Sequence, residues 1–253
     1  MKVTFLGTGT SQGVPLIGCN CEVCISADNR DKRLRTSILV ETDGNTFVID
    51  TGPDFRQQML REKVEKIDAV IFTHEHKDHT AGFDDIRAYN FLLKKKIDVY
   101  ATLRVQESLK KEFSYIFADE QYPGIPQVTL HHIENKPFNI NQTEIIPIQA
   151  FHFKLPVLGF RIKDFTYITD ANSIAEKEME KLRGTKVLVL NALRKEEHIS
   201  HFTLHQAVEL MHRIRPEKGY FTHISHQLGL HEEINRELPD FLKLSYDGLK
   251  IEI

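Results

Sequence analysis

The stretch from Phe72 to Gly82 reads Phe-Thr-His-Glu-His-Lys-Asp-His-Thr-Ala-Gly, so His74, His76, Asp78 and His79 fall within six positions just after an apolar run. Imidazoles and carboxylates at that density are donors for borderline or hard divalent cations such as Zn²⁺, Mn²⁺, Fe or Ni²⁺. In an extended backbone, side chains at i and i+2 share one face, so His74 and His76 can reach a single ion. Asp78 and His79 follow where Thr80-Ala81-Gly82 bends the chain toward a helix, which aims them at a second ion beside the first. A solvated polar loop accounts well for an isolated His-x-His, but poorly for a four-donor group that caps an apolar strand. The three cysteines lie together in Gly-Cys-Asn-Cys-Glu-Val-Cys as Cys19, Cys21 and Cys24. Their odd number and tight spacing make a poor disulfide framework. Three thiolates leave one vacancy in a tetrahedral Zn²⁺ shell. His226, in the late His-Ile-Ser-His stretch, is the fourth ligand the sequence favours, with His231 as the alternative.

The elements that must position these groups form one long series. Strand-like runs occupy 3–8, 37–42, 46–52 and 68–74, with Asp43-Gly44-Asn45 marking a hairpin between the second and third. Helices are expected over 83–96 and 103–113, with a strand at 98–102 between them. The strand-like Gln-Val-Thr-Leu-His-His-Ile, Thr-Glu-Ile-Ile-Pro-Ile-Gln-Ala-Phe-His, Leu-Gly-Phe-Arg-Ile and Phe-Thr-Tyr-Ile-Thr-Asp follow, then a helix over Ser-Ile-Ala-Glu-Lys-Glu-Met-Glu-Lys-Leu. Another strand, Lys-Val-Leu-Val-Leu-Asn-Ala-Leu, precedes an amphipathic helix over 203–214 that Pro216 stops, and a strand begins at 219. Two blocks of mostly antiparallel strands, each followed by helices, predict an α+β fold with two sheets face to face and helices outside, a four-layer αββα sandwich. No repeat or linker divides the 253 residues, so a single domain over 1–253 is expected, with a Cys-rich structural zinc loop at about 9–35.

Composition sets limits. Hydrophobic residues make up 41% and charged residues 27%, which is ordinary for a globular protein, and no run approaches the ~18–20 apolar residues of a membrane span. The start, Met-Lys-Val-Thr-Phe-Leu-Gly-Thr-Gly-Thr, has no signal-peptide pattern, and a cytoplasmic location is expected. A net charge of -3 gives no broad attraction for nucleic acid or anionic membrane.

His-Glu-His-Lys-Asp-His resembles the HxHxDH signature of the metallo-β-lactamase-fold hydrolases, and the order of that family's motifs can be followed down the chain. The resemblance makes Asp50, in Phe-Val-Ile-Asp-Thr-Gly, a carboxylate that orients the metal loop instead of binding metal. It implies that His74, His76 and His152 hold one ion, that Asp78, His79 and His223 hold the other, and that Asp170 bridges them. His131 and His132 compete for the role given to His152.

With Cys-x-Cys-x-x-Cys near the start and Thr-His-x-x-His near the end, the chain resembles the PhnP-type phosphodiesterases, hydrolases of phosphoribosyl cyclic phosphate. The resemblance implies a metal-dependent phosphoric diester hydrolase that acts on a small phosphate ester, cyclic ones included, through a hydroxide shared by two Mn²⁺, Zn²⁺ or Ni²⁺ ions, with one structural Zn²⁺ besides. A tRNA 3′-processing-type endoribonuclease, a thioester or lactam hydrolase and a non-catalytic metal-binding accessory protein of a biosynthetic pathway are the alternatives. The expected partner is a small phosphodiester, with neither membrane nor nucleic acid, and a homodimer is compatible with the resemblance. The departing alcohol needs a proton. His201 is the candidate donor, because it precedes a Thr suited to cap the helix near Leu204 and the family carries such a His in this loop; His198 and His205 compete. Arg35, Arg56, Asn191 and Arg194 are candidate phosphate or sugar contacts, each with an equally ordinary scaffolding role.

Overall fold

The strand-like runs fold into two mixed sheets in the computed structural model, which describes residues 1–120 and 123–253. The first sheet contains β1 (Lys2–Gly7), β2 (Ser37–Thr42), β3 (Asn45–Ile49), β4 (Ala69–Ile71), β5 (Ile97–Ala101) and β6 (Val128–His132). The second contains β7 (Phe138–Ile140), β8 (Thr143–His152), β9 (Leu155–Ile162), β10 (Phe165–Ile168), β11 (Ser173–Ile174), β12 (Val187–Asn191), β13 (Lys218–Thr222) and β14 (Leu242–Leu244). A last strand, β15 (Lys250–Glu252), returns to the first sheet beside β1. The orders are β15-β1-β2-β3-β4-β5-β6 and β11-β8-β9-β10-β12-β13-β14, with β7 paired to β8.

Period-two alternation sorts each strand's side chains between two cores. Ile38, Val40, Phe47 and Ile49 face Phe160, Phe165, Tyr167 and Val189 across the space between the sheets. Their neighbours Leu39 and Val48 face outward with Val70 and Val99, onto Phe55, Met59, Val105 and Leu109 of the first helical layer. On the other side Leu188 and Leu190 pack on Leu204, Ala207 and Met211 of helix Leu204–Ile214. Helix, sheet, sheet and helix are therefore stacked as the predicted αββα sandwich.

The expectation of mostly antiparallel strands holds only narrowly, for seven of the thirteen strand pairings among the described residues. β3, β4, β5 and β6 pair in parallel, and so do β10, β12, β13 and β14. Connection length is the reason: helices Phe55–Glu62 and Leu103–Glu112 in the first sheet, and Leu204–Ile214 and His231–Glu237 in the second, let the chain cross over. Where only Asp43 and Gly44 join β2 to β3, with φ of 52° and 75°, the chain must reverse into a primed hairpin turn.

Some expected elements are shorter. The helix expected over 83–96 is a 3₁₀ turn at Phe83–Ile86 followed by Arg87–Leu93, ended by Lys94 in the left-handed region at φ 51°. The helix expected from Ser173 begins instead as the edge strand β11, followed by single turns at Glu176–Met179 and Glu180–Leu182.

Parallel pairing has a functional consequence. The carboxyl ends of β3, β4, β8, β10, β12 and β13 lie on one edge of the sandwich, the edge where open α/β sheets bind ligands. Contacts across the sheets hold that edge in register: Thr36 Oγ1 lies 2.8 Å from Thr222 Oγ1, and the Leu158 amide donates to the Thr73 carbonyl at 3.1 Å.

Candidate metal centres

Strand β4 stops at Ile71, and the chain runs extended to His76 before one helical turn, Lys77–Thr80, sends it back. This local path does what the spacing predicts. His74 and His76 stand together with ring centroids 4.6 Å apart, and the short turn redirects Asp78 and His79. Glycine makes the turn possible. A Cβ on Gly52 would collide with the carbonyl oxygen of Asp78, and one on Gly82 with the carbonyl oxygen of Gly52, so two glycines let the Asp50 loop and the histidine loop lie in direct backbone contact.

Three other site residues leave strand ends in the left-handed region: Asp50 at φ 67°, Asp170 at 53° and His223 at 55°. Such conformations cost about 1–3 kcal/mol each in a non-glycine residue and persist where the surroundings hold them. Here the holders can be named. Asn191, at the end of β12, accepts from the Ala171 amide at 2.8 Å and donates to the Ala171 carbonyl at 2.9 Å, clamping the turn after Asp170. Around His223, the Ile224 amide donates to Thr8 O at 2.9 Å and the Ser225 amide to Leu193 O at 3.0 Å.

Two groups of donors converge. The ligand atoms of Asp78, His79, Asp170 and His223 lie within 4.8 Å of one another, as do those of His74, His76 and Asp170. Asp170 belongs to both groups. Its Oδ2 is 3.2 Å from His74 Nε2 and 2.7 Å from His79 Nε2, and its Oδ1 is 2.8 Å from His223 Nε2. His152 is close but outside these groups: its ring lies 5.1 Å from His76 and 5.9 Å from His74, and its Nδ1 is fixed 2.8 Å from Ser200 O, leaving Nε2 for the site. Its competitor His131 is on the remote edge strand β6 and pairs with Asp98 at 2.7 Å, and His132 follows it on that strand.

Asp50, the carboxylate expected to orient the metal loop, lies directly behind His79. Completely buried, it lies 2.7 Å from His79 Nδ1 through Oδ2 and accepts from the Thr73 amide and hydroxyl at 2.8 Å each. That contact turns His79 Nε2 toward the cluster.

The electrostatics describe a site that calls for positive charge. Burial would lower the imidazole of His223, but Asp170 and Asp78 raise it to about 9. His79 is likewise raised despite burial, by Asp170, Asp78 and Asp50. Burial would raise Asp170, yet His223 and His79 hold it well below the usual carboxylate range. Nε2 of His74, His79 and His223 are buried against the one Asp170 carboxylate, as close ion-pair contacts without well-formed hydrogen bonds. Three imidazole nitrogens converging on a shared carboxylate suit divalent cations, which supply the positive charge and take the nitrogen lone pairs together.

His201 is buried at the same place. Its ring stacks on His223 at 4.7 Å and lies 4.5 Å from His152, and Nδ1 has no hydrogen-bond partner among the described residues. Burial, followed by the neighbouring His223, pushes it down to about 2. His198 is 5.1 Å from it and is occupied by Ser200, while His205 points away on an exposed helix face beside Glu209. The Thr203 cap is present as a full capping box with Gln206.

Of the candidate phosphate contacts, Arg35 is bound to Asp54 at 3.1 Å, Arg194 to Gln227 at 2.9 Å, Asn191 serves the clamp just described and Arg56 lies exposed. Sequence reasoning missed Asn172, next but one to Asp170. Its side chain accepts from the Phe153 amide at 2.9 Å and donates to Ile199 O at 3.0 Å, and Asn is too common in turns for sequence to single it out.

The thiol cluster lies on the other side of the His223–His226 loop. The Sγ atoms of Cys19, Cys21 and Cys24 and a nitrogen of His226 fall within 4.8 Å of one another, with His226 Nδ1 3.4 Å from Cys19 and 3.3 Å from Cys21. In a tetrahedral site with Zn–S bonds of about 2.3 Å, ligand atoms sit about 3.8 Å apart, so the donor set fits zinc. The His226 contact lowers the Cys21 thiol to about 6, and burial raises Cys24 to about 11. The alternative ligand His231 is engaged elsewhere, with Nδ1 3.1 Å from Arg33 Nη2.

Comparison with known proteins bears on the family and the fold. The profile of the Beta-lactamase superfamily domain matches residues 45–224. A solved structure described as a new diphosphatase from the PhnP family is 42% identical, covers 100% of this chain and 97% of its own, and superposes with a TM-score of 0.93. Zn²⁺-bound PqqB from Methylobacterium extorquens shares the fold at a TM-score of 0.81 and 18% identity, with 100% of both chains covered. An octanoyltransferase of Porphyromonas gingivalis is 40% identical over 99% of this chain, which spans 51% of that protein's length. The αββα sandwich and these matches place the chain in the β-lactamase superfamily, among the metal-dependent hydrolases of the metallo-β-lactamase fold and PhnP type.

Proposed function

We propose that the chain is a dinuclear metal-dependent phosphodiesterase of small phosphate esters, with phosphoribosyl cyclic phosphate-like and diphosphate esters as the substrate class. The observation that carries this reading is the sharing of Asp170 between two groups of donors, which calls for two adjacent cations. In it His74, His76 and His152 hold one ion, Asp78, His79 and His223 the other, and Asp170 both. When bound, such a pair of ions supplies Lewis acidity toward a phosphoryl oxygen and makes water acidic enough to act as a nucleophile near neutral pH.

The protein's own groups do the rest. Asp50 holds His79, Ser200 O holds His152, and the Asn191 clamp fixes Asp170, so the donors are ordered before substrate arrives. His201, stacked on His223 at the edge of the cluster, donates the proton that an alcohol leaving group requires. An anionic phosphate beside it favours the imidazolium form that this donation requires. Cys19, Cys21, Cys24 and His226 hold a structural Zn²⁺ that fixes the loop at about 9–35 against the His223 loop, within a single catalytic unit over 1–253.

The test is hydrolysis of bis-p-nitrophenyl phosphate by protein loaded with Mn²⁺, Zn²⁺ or Ni²⁺. Turnover is expected, with a loss of at least about a hundredfold in Asp78→Ala. Full activity in that variant would contradict the mechanism. A parallel comparison of ribose cyclic phosphates with precursor tRNA separates this reading from an endoribonuclease.

A further inference from the structure

Beside the polar cluster the protein displays two large apolar side chains that a soluble surface would ordinarily hide. Phe153 is 50% and Ile199 68% exposed. They line one cavity of about 530 Å³, with His76 and His152, Arg104 and Lys154 also on its wall. Their exposure is built in. Phe153 sits at the tip of the β8–β9 hairpin with φ 58°, a conformation rare for an aromatic residue. The Asn172 amide side chain bridges the Phe153 amide and the Ile199 carbonyl, and the Asn172 backbone amide is tied to Phe151 O at 2.8 Å. One side chain, two positions from Asp170, therefore fixes the spacing between the two apolar groups and their distance from the donors.

Lys154 adds charge to this mouth. Its ammonium lies 5.4 Å from the centroid of the Phe153 ring and has no ion-pair or hydrogen-bond partner among the described residues. Arg104, by contrast, is already paired with Glu75. The mouth thus offers an aromatic ring, an aliphatic side chain on the same cavity wall and a cation that rests over one face of the ring with no carboxylate partner among the described residues.

We propose that Phe153, Ile199 and Lys154 form a leaving-group subsite for a nucleotide, with the base stacked on Phe153 against Ile199 and the nucleotide's own phosphate on Lys154. The inference rests on the hydrolase reading above and narrows its substrate to nucleotides joined through a diphosphate. In that reaction the oxygen of water bonds to the phosphorus at the donor cluster and the bond from that phosphorus to the bridging oxygen breaks. The bridging oxygen departs with the nucleotide, whose new phosphate charge Lys154 meets, and the two protons of water pass to solvent or to the phosphates.

The test is calorimetric binding of AMP and of ribose 5-phosphate to the metal-replete protein, since the two ligands share the sugar phosphate and differ in the base. AMP is expected to bind about tenfold tighter, in line with the worth of one base–aromatic stack. Phe153→Leu should bring the ratio toward one and Phe153→Tyr should keep it; Lys154→Ala should weaken both ligands alike. Equal binding of the two ligands by the wild type overturns the proposal, as does an unchanged ratio in Phe153→Leu. A Phe153→Leu variant that keeps the ratio and shifts only the sedimentation mass would assign the pair to an interface between copies, which also overturns it. Bis-p-nitrophenyl phosphate turnover by the wild type, measured on the same sample, separates the two ideas: turnover without a ratio removes the subsite alone, and a ratio without turnover removes the hydrolase.

Discussion

In the proposed mechanism Asp170 and His201 have different tasks, and substitution of His201 tests the difference. Asp170 is charged and shared by two donor groups, whereas His201 stacks on the group without joining it. A residue that only protonates the leaving oxygen matters in proportion to how badly that oxygen needs a proton. His201→Asn is therefore expected to lower kcat about a hundredfold or more on a ribose cyclic phosphate, whose leaving alkoxide is strongly basic. It should change kcat on bis-p-nitrophenyl phosphate, whose phenolate leaves unaided, by only a fewfold. Equal losses on both substrates would show His201 to be a scaffold of His223. At this scale most of the proposed site was legible, because four donors within six positions at a strand end stand out as a candidate metal-binding group, and the structure brings them together. His152, Asp170 and His223 were legible only through resemblance, since each is a lone residue at a strand end. Asn172 was not legible at all, because its importance is a pair of hydrogen bonds to distant backbone.

The element that integrates the two centres is the loop His223-Ile224-Ser225-His226. The left-handed turn at His223 sends that imidazole into the His/Asp cluster and leaves His226 to face the thiols, so a single short segment serves both. Zinc binding at such a loop is folding free energy for the segments it joins. Metal analysis of Cys21→Ser by plasma mass spectrometry should find one ion fewer than the wild type's expected three or so, with a lower melting temperature and greater sensitivity to chelators. An unchanged metal content and melt would remove the structural zinc. The tight cysteine spacing announced the thiol cluster. The parallel crossovers were harder to read, because apolar strands of three to five residues carry no signature of their neighbours' direction and the helix Phe55–Glu62 has a weakly patterned sequence.

Across the whole molecule, the ends of the chain close the fold. β15 pairs with β1, the Met1 amino group donates to Ile253 O at 2.8 Å, and Asp247 accepts from the Leu34 amide and the Thr8 hydroxyl at 2.8 Å each. These long-range contacts are not legible in the sequence, since Lys-Ile-Glu at the end is too short to identify as a strand. Burial raises Asp247 to about 6, against the opposing pull of the Leu34 amide, Thr8 and Arg61. A carboxyl whose folded value lies above its unfolded one favours folding while it is protonated. That contribution is full below the ordinary value of 3.8 and is lost as pH rises through about 6, at a cost of up to about 3 kcal/mol. Asp247→Asn removes the charge and keeps one oxygen for the Leu34 amide, while its NH2 can donate to the Thr8 hydroxyl once that rotor turns, so its melting temperature should rise relative to the wild type between about pH 4 and pH 7. A gap that stays constant over that window would contradict the assignment.

The central claim is that donors from His74 to His223 surround two neighbouring cations. Anomalous diffraction from crystals of Mn²⁺-loaded protein, recorded at the manganese and zinc edges, tests it most directly. Two manganese peaks about 3.5–4 Å apart on either side of Asp170 are predicted, with a zinc peak among Cys19, Cys21, Cys24 and His226. A map with density only at the thiolates, or a single ion remote from Asp170, would contradict it.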